Sequence, residues 1–408
     1  MTLESSYKVF YLAQLIYLLS MRNYFIPYFS KQEDGGLVIG GRFSHFLSKE
    51  KVRVIYLFWG IACFLSLILT NKVAWVSSFI CLIFSRYFFI YLRYKSVGRG
   101  NGAPGYMSYW TISYGFLFGL FQGAETGLAL VYTLMKLDFA LIMLSAAYYK
   151  YRTGYTRGRG IEFGLRNEMW SWGYKVFRRI PLNSVFFKVL NFSSVAVEIA
   201  ICILLLIPGL EKYAGALLAA MFIILLIVRL GTLPITMLCL SFVIIFMKPG
   251  NEIRYEWFHV TSIISTLLLL TLGLAWSWIY YLRLNLPLQI AKVLKFAYVI
   301  TGTIIWSVFT ARLTENYVVI RQIRDDEFYI LKAPDAGVHA GISLTTIATY
   351  TDYFPQGIKD QENRLKVYIR SMYPREYDIE VTFFKIYFSQ NETVLLPIKS
   401  IYLLGSGS

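Results

Sequence analysis

Two ionisable residues in apolar surroundings are the first candidates for chemistry in this chain. Lys150 closes a long apolar segment in the stretch SAAYYKYRTGYTRGRGIEF (145–163), and Glu198 lies within SSVAVEIAICILLLIP. A lysine held away from water gives up its proton more readily than one in water, and it can then act as a general base. A carboxyl group among apolar side chains must be paired or protonated, which makes Glu198 a candidate for lining a site.

Lys150 also has a simpler interpretation. Tyr148 and Tyr149 precede it, and a lysine beside aromatic residues is typical of a helix end at a membrane surface. On that interpretation Lys150 is an interfacial anchor that sets topology and carries no chemistry. Both alternatives are open on the residues alone.

Four further charged residues fall inside or at the end of apolar segments, namely Arg86, Lys136, Asp138 and Arg229. Lys136 and Asp138 are two positions apart and point to different faces of a helix, so each needs another partner. Arg86 and Glu198 are the candidate partners. The group is interpreted either as structural ion pairs or as the polar lining of a pocket, whereas Arg229 can extend to the membrane surface from a helix end.

The elements that must position these residues are apolar segments of membrane length. Of the 408 residues, 57% are hydrophobic and 16% are charged, which is too apolar for an ordinary soluble domain. Repeated apolar runs approach or exceed the roughly 20 residues that span a bilayer. We therefore predict an α-helical polytopic membrane protein with nine or ten transmembrane helices. The candidate spans are 7–21, 54–71, 73–92, 106–122, 128–149, 185–208, 212–230, 232–247, 258–282 and 290–310.

The net charge of +16 is concentrated between these spans. The loops 22–53, 93–105 and 150–184 follow the first, third and fifth spans, so they share one face, and they hold 17 lysines and arginines. The positive-inside rule places that face in the cytoplasm. The distribution favours a lipid bilayer over nucleic acid as the partner, and we expect a protein of the plasma or inner membrane of a prokaryote.

From residue 313 the composition becomes that of a small soluble domain. NYVVIRQIRDDEFYILKAP predicts two strands around a charged turn, 359–373 predicts a helix, and IEVTFFKIYFSQ and NETVLLPIKSIYLL predict two more strands joined at Gln390-Asn391. The predicted organisation is a transmembrane domain over 1–312, a β-rich α+β domain over 313–404 and a GSGS linker remnant over 405–408. The four cysteines lie in apolar runs without metal-ligand spacing, so no metal is predicted.

The Lys150 stretch resembles the signature of a known membrane family. A helix end of aromatic and small residues is followed by a lysine, an aromatic residue five positions on and a glycine eight positions on, here Lys150, Tyr155 and Gly158. This pattern is similar to that of the HTTM, or vitamin K-dependent γ-carboxylase-like, membrane proteins, which usually have Trp where this chain has Tyr155. The order of spans and loops, the acidic Glu198 in the span after the motif, and the strand–turn–strand pieces of the tail extend the resemblance.

The resemblance implies an enzymatic role for Lys150. In the carboxylase, the lysine of this motif is the base that deprotonates reduced vitamin K. Oxygenation then yields a strong base that removes a γ-proton from a peptide glutamate, and carbon dioxide adds to the carbanion. Carried over by position, only Lys150 takes the role of base, with a reduced quinone as cofactor and a peptide as substrate. The candidates for the surrounding pocket are Glu198, Arg86, Tyr155, Arg157 and Gly158.

The chain departs from the family at the histidines. The family has functional histidines before the fourth span and near the end of the seventh, where this chain reads GNGAPGYMSYW and MFIILLIVRLGTLP. His45, His259 and His339 lie elsewhere and are interpreted as surface or structural residues. The alternative function is therefore a non-catalytic membrane scaffold, or a peptide-maturation, immunity or export factor, on the same fold. A transporter is a third class, but the sequence has no paired broken helices that would indicate one.

Topology is a second point of conflict. The resemblance places the Lys150 loop outside the cytoplasm, whereas the charge distribution places it inside. With nine spans the C-terminal domain shares the face of Lys150, and with ten spans it lies opposite. A peptide-modifying enzyme needs the shared face, because the domain would hold the peptide near the lysine.

Overall fold

Helices form most of the chain in this computed structural model. The structure describes residues 3–31, 34, 38, 44–70, 72–92, 102–121, 125–152, 155, 160–247, 272, 285–301, 315–324, 327–331, 359–388 and 392–405. The helices are α1 (Val9–Ser20), α2 (Phe25–Phe29), α3 (Lys49–Ile68), α4 (Lys72–Ser85), α5 (Gly102–Leu120), α6 (Glu125–Arg152), α7 (Gly160–Arg166), α8 (Tyr174–Phe177), α9 (Val185–Leu206), α10 (Glu211–Ile224), α11 (Leu233–Phe246), α12 (Leu288–Thr301) and α13 (Lys359–Met372).

Three of these helices contain segments long and apolar enough to cross a membrane. The segments are Lys49–Ile68, Gly127–Tyr148 and Val185–Leu206, and two shorter apolar stretches cover Val73–Phe89 and Leu233–Phe246. The prediction of apolar, membrane-length helices is therefore confirmed for three segments. The number of spans stays a prediction, and almost all of the candidate span 258–282 lies outside the described residues.

Glycines allow the helices of the second half to turn and to approach one another. Gly209, in the turn between α9 and α10, has a φ of +86°, a backbone conformation that residues with a Cβ rarely adopt. Gly215 on α10 faces α11, and a Cβ at this position would lie 2.7 Å from a side-chain carbon of Ile245. Small residues at a helix interface let two backbones come close, so Gly215 sets the spacing of the α10–α11 pair.

The C-terminal residues form one antiparallel sheet in the strand order β2-β1-β3-β4. The strands are β1 (Asn316–Arg324), β2 (Glu327–Ile330), β3 (Asp378–Phe388) and β4 (Thr393–Leu403). Leu365 and Ile369 of α13 are fully buried in the same core as Val381 and Phe383 of β3. The four predicted strands and the predicted helix are confirmed, and the predicted turn at Gln390-Asn391 lies outside the described residues.

The sheet rests on the segment that follows Lys150. The rings of Phe163 (α7) and Phe388 (β3) lie 5.4 Å apart between centroids. The side chain of Asn167 donates a hydrogen bond to the carbonyl of Asn316 at 3.0 Å, and the Tyr317 hydroxyl donates to the Glu168 carboxylate. The C-terminal sheet and the segment after Lys150 therefore lie together.

The loop that follows α1 also lies beside the C-terminal sheet. Helix α2, which follows α1, contacts α13 on the sheet. Residues 170–172 form backbone hydrogen bonds with residues 227–229, between α10 and α11. We call this side the loop face, and define it by residues 21–31, 160–184 and 225–232 together with the sheet. These contacts bring parts of the loops 22–53 and 150–184 to the same side of the protein, and the expectation that the loops share one face of a membrane stays a prediction.

The contact between Glu362 and Lys399 predicts that the stability of the sheet depends on pH. Lys399 donates to Glu362 at 2.8 Å, and this hydrogen bond, with Lys366 adding to it, holds the pKa of Glu362 below its ordinary value. A lowered folded-state pKa gives stability that is present above the unfolded pKa of about 4.3 and is lost as the pH falls through the folded value. We expect Glu362→Gln to destabilise the α13–β4 contact by about 0.2–1 kcal/mol at pH 7, and by less as the pH falls below about 4. Hydrogen exchange of the β4 amides measures both effects.

The matched control is Glu376→Gln. Glu376 is exposed and makes no ion pair among the described residues, so its replacement should leave exchange in β4 unchanged at both pH values. An equal effect of the two substitutions would show that Lys399 does not stabilise the sheet through Glu362.

Candidate functional site

A buried ion pair joins the two residues that first drew attention in the sequence. Lys150 Nζ lies 2.5 Å from Glu198 Oε1, and the two residues are 8% and 6% exposed. The pair connects the last turn of α6 with the interior of α9. Lys150 thus points into the protein, where the interfacial-anchor interpretation expects it at the surface.

Small residues on α6 make this contact possible. Ala146 and Ala147 lie one turn before Lys150, on the same side of the helix, and both are buried. Their size lets α6 and α9 pack closely, so the lysine side chain meets Glu198 without crossing a layer of larger side chains. The position of Lys150 in the last helical turn also favours a positive charge, because the helix dipole is negative at that end.

Tyr155 covers the lysine from the loop side. Its backbone N–H donates to the carbonyl of Lys150 at 3.0 Å, and its ring centroid lies 5.5 Å from Lys150 Nζ. The face of an aromatic ring attracts an ammonium group at this distance. Burial raises the pKa of the Tyr155 phenol well above its ordinary value, so the phenol keeps its proton.

Gly160 is required under the Tyr155 ring. A Cβ at Gly160 would overlap the ring carbons of Tyr155, since α7 begins directly beneath them. The family pattern singled out Gly158 instead, and both Gly158 and Arg157 lie outside the described residues. Sequence reasoning missed Gly160, although its place at the start of the helical stretch GIEFGLR was a usable signal.

Asn191 and Ser194 extend the site along α9 and were also missed. The Asn191 side-chain carbonyl accepts from the Ile161 N–H at 3.0 Å and so ties α7 to α9. Ser194 donates to the Asn191 backbone carbonyl at 2.9 Å. Positions 191, 194 and 198 are spaced by three and four residues, so they form one polar stripe on an otherwise apolar helix. That spacing was visible in the sequence.

Glu198 keeps one acceptor without a donor. Its Oε2 is buried and has no hydrogen-bond partner among the described residues. Leaving a buried carboxylate oxygen unsatisfied is costly, so such an atom calls for a donor such as a water or a ligand hydroxyl. The site therefore combines a lysine nitrogen with an adjacent open acceptor.

The expected partners of Lys136 and Asp138 were wrong. Lys136 Nζ lies 2.6 Å from Glu211 Oε1 at the start of α10. Asp138 Oδ2 accepts from the Trp110 indole at 2.8 Å and from the Tyr114 hydroxyl at 3.0 Å. Neutral donors on α5 thus satisfy one oxygen of Asp138 without a cation. The sequence-based search looked only for residues of opposite charge and therefore missed these donors.

Arg86 and Arg229 also lie apart from the Lys150–Glu198 pair. The Arg86 guanidinium donates to the Tyr109 hydroxyl of α5, and no contact among the described residues joins it to Lys150 or Glu198. The Arg229 guanidinium stacks on the Trp172 ring, with its central carbon 4.0 Å from the ring centroid. Of the proposed pocket residues that the structure describes, it brings Lys150, Glu198 and Tyr155 together and leaves Arg86 elsewhere.

Neither a family model, nor a curated protein, nor a solved structure matches this chain. Within the described part of the chain, no group of three or more His, Cys, Asp or Glu residues is arranged to hold a metal ion. His259 and His339 lie outside that part. Function must therefore be inferred from the contacts around Lys150 and Glu198.

The packing of Gly160 against Tyr155 predicts that alanine at position 160 destabilises the protein only while the Tyr155 ring is present. Gly160→Ala forces the Tyr155 ring away from Lys150, and we expect a loss of about 1–3 kcal/mol, as for overpacked cores. In a Tyr155→Ala background, Gly160→Ala should cost little, because no ring is left to be displaced. Thermal unfolding in detergent measures the effect. The control is Gly60→Ala on α3, where no atom lies within 4 Å of the added Cβ, so no loss is expected.

The buried pair predicts strong coupling between its two members. Glu198→Leu leaves Lys150 buried without its counterion, and we expect destabilisation of about 3–5 kcal/mol. Replacing both residues, as Lys150→Met with Glu198→Leu, should cost less than Glu198→Leu alone. Additive effects in the unfolding free energy would show that the two groups do not interact. The more exposed pair of Lys136 and Glu211 should show weaker coupling in the same double-mutant cycle.

Proposed function

We propose that this protein is an integral membrane enzyme of the γ-carboxylase-like class, with Lys150 as general base toward a hydroxyl of a lipophilic hydroquinone and a peptide as the molecule modified. The observation that carries the proposal is the 2.5 Å contact between Lys150 Nζ and Glu198 Oε1, beside an oxygen of Glu198 for which the described residues provide no donor. A structural ion pair needs the first feature, whereas a binding site needs both.

Glu198 can prepare Lys150 to act as a base. The 2.5 Å contact allows direct proton transfer, and transfer of one proton from Nζ to Oε1 leaves a neutral amine beside a neutral acid. A water-poor site favours this neutral form more than water does, because separate charges are costly to bury. The free amine can then take a proton from a substrate hydroxyl, which leaves Lys150 as an ammonium beside the protonated Glu198. Release of the Glu198 proton to water restores the starting ion pair.

The residues present fit a hydroquinone. Glu198 Oε2 offers an acceptor for one hydroxyl, and Tyr155 offers an aromatic face next to the lysine. Ile199, Ile203 and Leu206 of α9 are exposed, so an apolar surface lies next to Glu198 along the same helix. When bound, a hydroquinone supplies a phenolic hydroxyl and two reducing electrons. The residues of this chain hold it, exclude water and accept its proton.

The sheet supports the peptide part of the proposal. It packs on α7 through Phe163 and Phe388, a few residues beyond Tyr155, so a peptide held by the sheet would lie near Lys150. This shared face favours nine spans over ten. It is also the basic face of the bundle, which the charge rule assigns to the cytoplasm of a prokaryotic plasma or inner membrane.

A non-catalytic scaffold is the second candidate function. Each buried charge described above has a contact on another helix, as in the 2.6 Å pair of Lys136 and Glu211, and the Lys150–Glu198 pair could be one more tie of this kind. The family's histidines are also missing from the corresponding positions of the sequence. In a scaffold, removal of Lys150 changes stability alone.

Substitution of Lys150 separates the two candidates. Lys150→Ala and Glu198→Gln are prepared in membranes together with Lys136→Ala, which removes the ion pair between Lys136 and Glu211. Loss of a general base lowers turnover by about 10²–10⁴-fold, so we expect that loss for Lys150→Ala and wild-type turnover for Lys136→Ala. Lys150→Arg should be as inactive as Lys150→Ala, because a guanidinium does not give up its proton. The readouts are hydroquinone consumption and the mass shift of a co-expressed peptide encoded next to the gene.

Two outcomes contradict the proposal. Equal turnover by Lys150→Ala and wild type would exclude Lys150 as the base. Absence of turnover in the wild type, with every tested hydroquinone and peptide, would favour the scaffold.

A further inference from the structure

Three cations around the connection between α8 and α9 have no partner within the described part of the chain. Lys175, Arg179 and Lys188 are exposed and make no ion pair there. Nearby cations are used differently, since Arg166 is bound by Glu162 and by backbone carbonyls, and Arg178 contacts Glu168. The three unpaired cations therefore form a separate group that is available to an external anion.

These cations flank the bend at which the α8 segment leads into α9, and we call this bend the elbow. Lys175 and Arg179 are four positions apart on the helical turns that begin with α8, so they lie on one side. Lys188 lies in the first turns of α9. The rings of Phe177 and Phe186 stack at 6.4 Å and hold the α8 segment against the start of α9. The elbow is thus built by packing and does not depend on a ligand for its shape.

Exposed apolar side chains accompany the cations. Trp172 and Val176 are 44% and 62% exposed at the elbow. Val185, Val189 and Phe192 are exposed on α9, and they continue into the exposed apolar surface of the membrane-length segment Val185–Leu206. A tryptophan at the end of such a segment is typical of the membrane–water interface.

We infer that the elbow is a binding site for anionic phospholipid. Lys175, Arg179 and Lys188 contact the headgroup phosphates, Trp172 lies at the level of the headgroups, and Val189 and Phe192 contact the acyl chains. This inference rests on the proposed membrane location but not on catalysis. It also gives α9 a fixed depth in the bilayer, and with it the depth of Glu198 on another side of the same helix.

An anionic lipid fits this surface better than an acidic peptide does. An acidic peptide would be bound through its charges and its backbone hydrogen bonds, and it would leave the exposed apolar side chains of α9 without a contact. A phospholipid has an anionic head and two apolar chains in the same order as the cations and apolar residues found here. The continuity of the strip with the membrane-length segment decides between the two.

The test is lipid retention by the full chain, measured by native mass spectrometry. The protein is purified in detergent and offered equal amounts of phosphatidylglycerol and phosphatidylcholine. We expect the wild type to retain phosphatidylglycerol preferentially. Each basic residue near an anionic lipid surface is worth about fivefold in binding, so the triple variant Lys175→Gln, Arg179→Gln, Lys188→Gln should lose most of the preference. Lys175→Arg with Lys188→Arg should keep it.

The control removes the same number of exposed charges elsewhere, as Lys212→Gln, Arg324→Gln and Arg375→Gln, and should keep the preference. An unchanged preference in the elbow variant would overturn the inference. So would a second result, in which the elbow variant loses binding of a glutamate-rich peptide while its lipid preference stays as in the wild type. Neither readout depends on turnover of a hydroquinone, so failure here is distinct from failure of the proposed enzyme activity.

Discussion

The Lys150–Glu198 ion pair is the constraint on which the arrangement of the loop face depends. A charge buried between two helices needs a counterion, so the end of α6 must pack beside the middle of α9, where Glu198 lies. The chain between them then has little freedom. Tyr155 folds back over the lysine, α7 starts beneath its ring at Gly160, and Asn191 holds α7 to α9. The surface on which the sheet packs is a consequence of that sequence of contacts.

The bundle contains a second buried carboxyl group that shows what is particular to Glu198. One oxygen of Asp138 also has no donor among the residues that the structure describes, but its other oxygen accepts from the neutral groups of Trp110 and Tyr114. Glu198 is held by a lysine, which is both a proton donor and, after transfer, a base. An undonated carboxylate oxygen therefore lies beside neutral donors at Asp138, but beside a potential base at Glu198. Of these two buried carboxyl groups, Glu198 is the one whose partner is a cation that can pass it a proton.

The apolar membrane-length helices and the four strands could be predicted from the sequence, because they depend on local periodicity. Lys150 and Glu198 could be singled out as candidates because a charge in an apolar run is costly. The partners of Lys136 and Asp138 could not be predicted, because they depend on which helices become neighbours. Gly160 was missed for a related reason, since its role comes from the position of Tyr155 above it. Asn191 and Ser194 were within reach, because their spacing to Glu198 is a helical pattern in the sequence itself.

The contact of β3 with α7 has a consequence for the order in which the protein is assembled. Phe163 is synthesised long before Phe388, and the two rings close the same small core with Ile386. The helical pair α6–α9 can form while the ribosome is still producing the later helices, but Phe163 of α7 stays uncovered until β3 emerges. The surroundings of the lysine are therefore completed only after β3 has been synthesised. A chain that stops before the sheet would contain every residue of the ion pair and still leave its neighbourhood open.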